Sequence, residues 1–133
     1  MQEVLEMLTI PCFGNLATVE DGKPRVRPFA FMYEEKGRFY FLTASDKKVY
    51  RQLTATPFIE FTKLTDDMRW VRISGRIAFD DDVQCKEKCF ANYPMLKDIY
   101  QAPDNPVLKV FYLEHGAASI DSMSGDPQKS FTF

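Results

Sequence analysis

Residues 40–53 read YFLTASDKKVYRQL, an aromatic strand running into a helix that opens on two lysines. Arg38 to Thr43 (RFYFLT) is rich in aromatic residues and reads as a strand. Lys47 to Thr56 reads as a helix with Val49, Tyr50 and Leu53 on its apolar side, closed by Pro57. Between them, Thr43, Ser45 and Asp46 can each hydrogen-bond to backbone, and Ser45 or Asp46 suits the N-cap. Lys47 and Lys48 then stand at the positive end of the helix macrodipole, which disfavours cations. Two arrangements answer that conflict. One is a capped helix with two solvated lysines. The other is a helix start whose free N–H groups and two ammonium groups share one anion, a phosphate site without a glycine loop.

Upstream, Gln2 to Leu8 reads as a short amphipathic helix ended by Pro11. Phe13 to Glu20 is a strand, Asp21-Gly22 a hairpin turn, and Pro24 to Tyr33 the returning strand. Strict alternation puts Arg25, Arg27, Phe29, Phe31 and Tyr33 on one face, while Pro28 cannot donate to a ladder and implies an edge. Glu34 to Gly37 turns the chain into residues 38–43. Downstream, Phe58 to Lys63 and Arg69 to Phe79 are strands flanking a turn at Leu64 to Met68. In the longer one Val71, Ile73, Gly75 and Ile77 face one way, and Trp70, Arg72, Ser74 and Arg76 the other. The acids Asp80 to Asp82 lead into a helix over Val83 to Asn92, and Pro94 opens a shorter one to Tyr100. After a loop at Pro103 to Pro106, Val107 to Leu113 and Ala117 to Ser122 read as two last strands. The tail GDPQKSFTF is turn-like, then apolar at Phe131 and Phe133. Closely spaced strands with a few inserted helices predict one mainly β domain over residues 1–133, an antiparallel barrel with peripheral helices.

Composition narrows the function. The 133 residues are 45% hydrophobic and 27% charged, an ordinary globular balance. Net charge is -2, which argues against a nucleic-acid binder driven by bulk charge. The N-terminus lacks the basic cluster of a signal peptide, and no apolar run is long enough to span a membrane. Cys12, Cys85 and Cys89 give an odd count without a disulfide framework, so the expected setting is the reducing cytoplasm. Cys85 and Cys89, one helical turn apart, and the single histidine, His115, do not supply a zinc ligand set. No dinucleotide fingerprint, P-loop, nucleophile elbow or HExxH is present, so any catalysis is expected to rest on a bound cofactor. The arginine faces, Arg25 with Arg27 and Arg72 with Arg76, invite either an anionic ligand or pairing with some of the 19 acidic residues.

The ordered combination of LATV, DGKPRVRPF, FLTASDKKVYRQL and RWVRISGRI resembles the pyridoxamine 5'-phosphate oxidase-like family of FMN-binding split β-barrels, from about Leu5 to Leu113. The resemblance implies a six- or seven-stranded antiparallel split barrel that forms a homodimer, with FMN in the groove between subunits. The family's flavin- and phosphate-contacting strand falls on Arg25, Val26, Arg27, Pro28 and Phe29. Its Thr or Ser at the end of the next long strand falls on Thr43, with Ser45 beside it, and its phosphate-holding basic pair on Lys47 and Lys48. A glutamine of the oxidases that give the family its name is replaced by Trp70, and Arg72 and Ser74 become neighbours of the ribityl chain or of the partner subunit. Those oxidases end in a basic segment that grips the substrate phosphate. This chain ends without arginine or histidine, so pyridoxamine phosphate is not the expected substrate and no catalytic residue is assigned.

The implied function is an FMN-dependent oxidoreductase acting on a small molecule, with a positive group such as Arg27 or Arg72 favouring reduced flavin. Phe131 and Phe133 pack over the flavin, on the partner subunit or on the chain's own core. The alternatives are a flavin-storage or redox-sensing protein without turnover, a haem-handling member of the same fold, and nucleic-acid binding through the arginine faces.

Overall fold

A computed structural model describes residues 1–133. Its eight-stranded antiparallel sheet is explained by turn chemistry and by one bent strand. β1 (Cys12–Glu20) and β2 (Lys23–Phe31) form a hairpin over Asp21 and Gly22, whose φ angles of 53° and 75° are the two positive values that a type I′ turn needs. β2 stops at Phe31, and the chain bends at Met32 into β3 (Tyr33–Glu35). β3 pairs with β4 (Arg38–Ala44), and the Met32 amide donates to the Tyr40 carbonyl at 3.0 Å. The same run of chain therefore pairs with β1 on one side and with β4 on the other. The remaining order is β1, β5 (Phe58–Leu64), β6 (Arg69–Asp80), β7 (Leu108–Ser122), β4. Counted with β2 and β3 as one bent strand, six strands close the split barrel, and β8 (Lys129–Thr132) adds to β7 outside the ring.

Register separates the two faces of the wall. Arg27, Leu16, Phe61 and Ile73 are successive cross-strand partners and look inward, as do Phe41 and Phe111. Phe39, Phe41, Phe61 and Phe111 are fully buried there, each contributing about 1.5–3 kcal/mol relative to exposure. Phe41 is the hub, with ring centroids 5.4 Å from Phe111 and 5.2 Å from Phe61. α1 (Gln2–Met7) and α2 (Lys48–Ala55) add Val4, Met7, Val49 and Leu53 to this core. A second cluster lies on the outside of β4 and β7, where α3 (Val83–Asn92) and α4 (Leu96–Tyr100) bring Cys89, Phe90, Tyr93 and Leu96 against Tyr40, Leu42 and Val110. No helix is long and apolar enough to cross a membrane.

Several elements differ from expectation. Tyr33 does not continue the face of Arg25, Arg27, Phe29 and Phe31; the bend at Met32 sends it into the second cluster. The two strands expected over residues 107–113 and 117–122 are one 15-residue strand that starts at Leu108. The sequence between them, Glu114-His115-Gly116, is absorbed by a bulge against β6 rather than by a turn. The tail forms β8, and Phe131 and Phe133 pack on the chain's own core, with Phe133 4.8 Å from Phe39. The N-cap of α2 is Lys47, not Ser45 or Asp46. The Ser45 amide is held by the Val107 carbonyl at 2.8 Å and the Lys47 amide by Ala44 at 3.0 Å, so the turn extends one residue further before the helix begins.

Gly14 lies where β1 approaches β5 closely: a Cβ there would overlap the Thr62 carbonyl oxygen and sit 2.6 Å from the Phe61 ring. Gly14→Ala is expected to destabilise the protein by about 1–3 kcal/mol in urea unfolding. An unchanged midpoint would contradict this approach of the two strands.

Candidate functional site

One end of the barrel gathers the polar side chains that the sequence singles out around α2. β1 and β4 end there, β2, β5 and β7 begin there, and α2 lies across it with Val49 and Leu53 in the core. Thr43 is buried at the end of β4, Ser45 is half-buried in the turn, and Lys47 and Lys48 are exposed. None of these four makes a side-chain hydrogen bond or ion pair within the chain. Lys47 has extended backbone (φ −92°, ψ 149°) and no side chain caps the helix, so its first-turn N–H groups have no side-chain acceptor. Free amide donors, the positive dipole end and two unpaired ammonium groups together suit an anion. Asp46, the other candidate cap, is exposed and accepts no hydrogen bond.

Lys109 is a residue that sequence reasoning missed. It pairs with Thr43 across β4 and β7, and its ammonium lies 6.0 Å from the centroid of the Tyr50 ring in the first turn of α2. A cavity of about 270 Å³ opens here, lined by Tyr50, Phe79, Asp80, Asp81, Lys109 and Val110. The signal available was a lone lysine in the apolar run VLKVFYL.

The β2 arginines are already engaged. Arg27 donates to the Leu16 carbonyl at 3.2 Å, to Thr18 Oγ1 at 2.8 Å and to Gln52 Oε1 at 2.7 Å, and Thr18 and Gln52 are both buried. Desolvation pulls the Arg27 guanidinium below its ordinary range, but Glu20 opposes that shift. Arg25 donates to Glu20 at 3.1 Å, a contact that, with Gln52, holds the Glu20 carboxyl below the usual carboxylate range. Arg27 is thus a structural bridge from β2 to α2. Gln52 occupies the buried position on α2, and Tyr50, expected on the apolar side, is half-buried against Phe79 instead, at 5.3 Å. Phe29 packs over Phe41 and Phe111 at 6.3 and 6.1 Å, inside the barrel.

Trp70, Arg72 and Ser74 are not brought to this end. Arg72, Thr62, Asn15 and Pro28 are successive cross-strand partners on the outer face, opposite to Arg27. Arg72 pairs with Glu60 at 3.8 Å, and a cavity of about 330 Å³ there is lined by Arg72, Ser74, Ser119 and Ser130 among others. Trp70 starts β6, whereas the α2 end is reached near Phe79; nine residues of strand at about 3.3 Å each separate them by roughly 30 Å. The expected site is therefore divided, with Pro28, Trp70, Arg72 and Ser74 outside, Phe29 in the barrel core and the rest at the α2 end.

The family model described as Pyridoxamine 5'-phosphate oxidase matches residues 1–116. The chain belongs to the pyridoxamine 5'-phosphate oxidase family. A NimC/NimA family protein from Clostridium acetobutylicum is similar at 31% identity over 100% of this chain and 93% of that one, with a TM-score of 0.88. A pyridoxamine 5'-phosphate oxidase-related, FMN-binding protein from Nostoc punctiforme is 16% identical over 98% and 86% of the two chains, with a TM-score of 0.67. A haem-binding protein from Mycobacterium smegmatis is 16% identical over 97% of this chain and 57% of that one, with a TM-score of 0.77. No curated protein sequence matches the chain.

This member of the pyridoxamine 5'-phosphate oxidase family has no reactive-thiol environment. Burial pushes Cys12 up to about 11 and Cys89 up to about 12, and it also raises Cys85. No three His, Cys, Asp or Glu side chains converge as a metal site.

The engagement of the arginines makes a stability prediction. Arg27→Ala leaves Thr18 Oγ1 without its donor, removes one of the two donors to Gln52 Oε1, and is expected to cost about 1–3 kcal/mol. Arg72→Ala breaks a half-exposed pair and is expected to cost less than about 1 kcal/mol. Equal costs in urea unfolding would contradict the assignment of Arg27 to a buried network.

Proposed function

We propose that this chain is an FMN-binding flavoprotein, a homodimer that carries out redox conversion of a small molecule in the cytoplasm. The observation that carries this reading is the α2 start, where Lys47, Lys48, Thr43 and Ser45 lack internal partners beside uncapped backbone amides. Those donors fit a phosphate dianion, and family membership makes the phosphate of FMN the candidate ligand. Bound FMN would supply the electron-transfer chemistry. The chain's own contribution is to anchor the phosphate, to keep the α2 end rigid through Arg27, Thr18 and Gln52, and to present apolar walls that exclude water.

The division of the site residues between two surfaces supports the dimer. Trp70, Arg72 and Ser74 are too far along β6 to serve the same subunit's α2 end, but a second copy packed on the outer face can bring them to its own ligand. That face, across β2, β1, β5 and β6, is not covered by a helix and exposes Val26, Phe58 and Leu64. The three free cysteines support a reducing compartment. The tail Gly125 to Phe133, with Lys129 as its only basic residue and Lys129 held by Glu3 at 2.8 Å, does not offer a second phosphate clamp. A haem-handling reading has only His115 as an imidazole, and it is exposed on β7. A haem titration without a Soret shift excludes it.

Lys47→Ala combined with Lys48→Ala is expected to weaken FMN binding at least about tenfold, since two charge-assisted contacts are lost. Riboflavin binding, followed by the same fluorescence quenching, should change little. Equal losses for the two ligands would refute the phosphate role. Oxidation of reduced nicotinamide by the FMN-loaded protein with an added acceptor separates an oxidoreductase from a storage protein, which would show no turnover.

A further inference from the structure

The geometry points to a second small-molecule site, on the outer wall at the bulge between β6 and β7, that takes a small carboxylate. The register slips between Gly75 and Ile77, so that Arg76 faces two β7 residues, Glu114 and His115, instead of one. Bulges re-aim side chains in this way beside functional sites. Gly75 pairs with Gly116 at the slip, and a Cβ on Gly75 would stand 3.2 Å from the Gly116 Cα, so the close approach requires small residues. The slip opens a cavity of about 350 Å³, lined by Arg76, Ile77, Ala78, Tyr112, Glu114 and His115. That volume lies at the lower end of the range for small-molecule sites.

The charges of this cavity are sorted. Glu114 is neutralised by Arg38 at 3.3 Å, and the same guanidinium lies 4.4 Å from the centroid of the Tyr112 ring. Arg38 is therefore committed, and Glu114 is not left as a free negative charge. Arg76 and His115 have no hydrogen-bond or ion-pair partner within the chain. Arg76 only borders Phe58, with its guanidinium 5.4 Å from the ring centroid. A free planar fork and a free imidazole thus meet over an apolar floor of Ile77, Ala78 and Tyr112. This is a donor set for a carboxylate carried on an apolar or aromatic body. None of these residues is among those of the α2 start, so the site is tested separately from the phosphate anchor.

Benzoate is a suitable probe, and His115 is a built-in reporter because the chain has one histidine. Benzoate titrated into the full chain is expected to move the His115 ring resonances in ¹H–¹³C NMR in a saturable way. Sodium chloride at equal ionic strength and benzyl alcohol should not. Arg76→Gln is expected to weaken the effect at least about tenfold, and Arg76→Lys less, since lysine keeps the charge but loses the fork. Added FMN should leave the titration unchanged. An identical shift with chloride, an Arg76→Gln titration equal to that of the parent at an unchanged unfolding midpoint, or displacement by FMN would each overturn the proposal.

Discussion

The bend at Met32 is the constraint on which the rest of the structure depends. By donating its amide to Tyr40, Met32 moves the chain from the edge beside β1 to the edge beside β4. One run of residues thereby serves both edges of the sheet, and few backbone groups at the seam are left to open pairing. Closure has a direct consequence for function. It fixes the direction in which β4 leaves the barrel, so the turn after Thr43 must cross the open end and α2 must cover it. Lys47 and Lys48 are positioned by that crossing rather than by any local preference of the helix.

The wall of the barrel then divides the chemistry. The inner face near α2 is closed by a buried polar bridge, Arg27 to Thr18 and Gln52, in which each member satisfies the others. Such a network is costly to leave half-made, which is a reason for rigidity at this end. The outer face carries Arg72 and Ser74 in an open polar setting, and further along β6 the bulge with Arg76. Arg27 of β2 and Arg72 of β6 thus have unlike roles, decided by the face of the wall to which alternation assigns each.

Much of this was legible in the sequence because it is local. Asp21-Gly22 specified the first hairpin, alternation in residues 69–79 gave the two faces of β6, and the long helix over residues 83–92 was marked by its acidic start. Non-local features were less legible. Glu114-His115-Gly116 looks like a turn until Arg76 of β6 is set against it. The partner of Arg27 is Gln52, 25 residues away, and no pattern in β2 announces it. The α2 cap is non-local for a similar reason, since the Ser45 amide is taken by Val107, the residue before β7. Of the candidate site, the basic pair and Thr43 were readable, whereas Lys109 and the separation of Trp70, Arg72 and Ser74 from the α2 end needed the strand register.

The most direct measurement is the ³¹P spectrum of FMN titrated with the protein. If the α2 start holds the phosphate, the resonance leaves its free position and broadens with the parent chain, and stays at the free position when Lys47 and Lys48 are both alanine. A resonance at the free position while the flavin fluorescence is quenched by the parent chain would contradict the account, because the ring would then be bound with its phosphate in solvent.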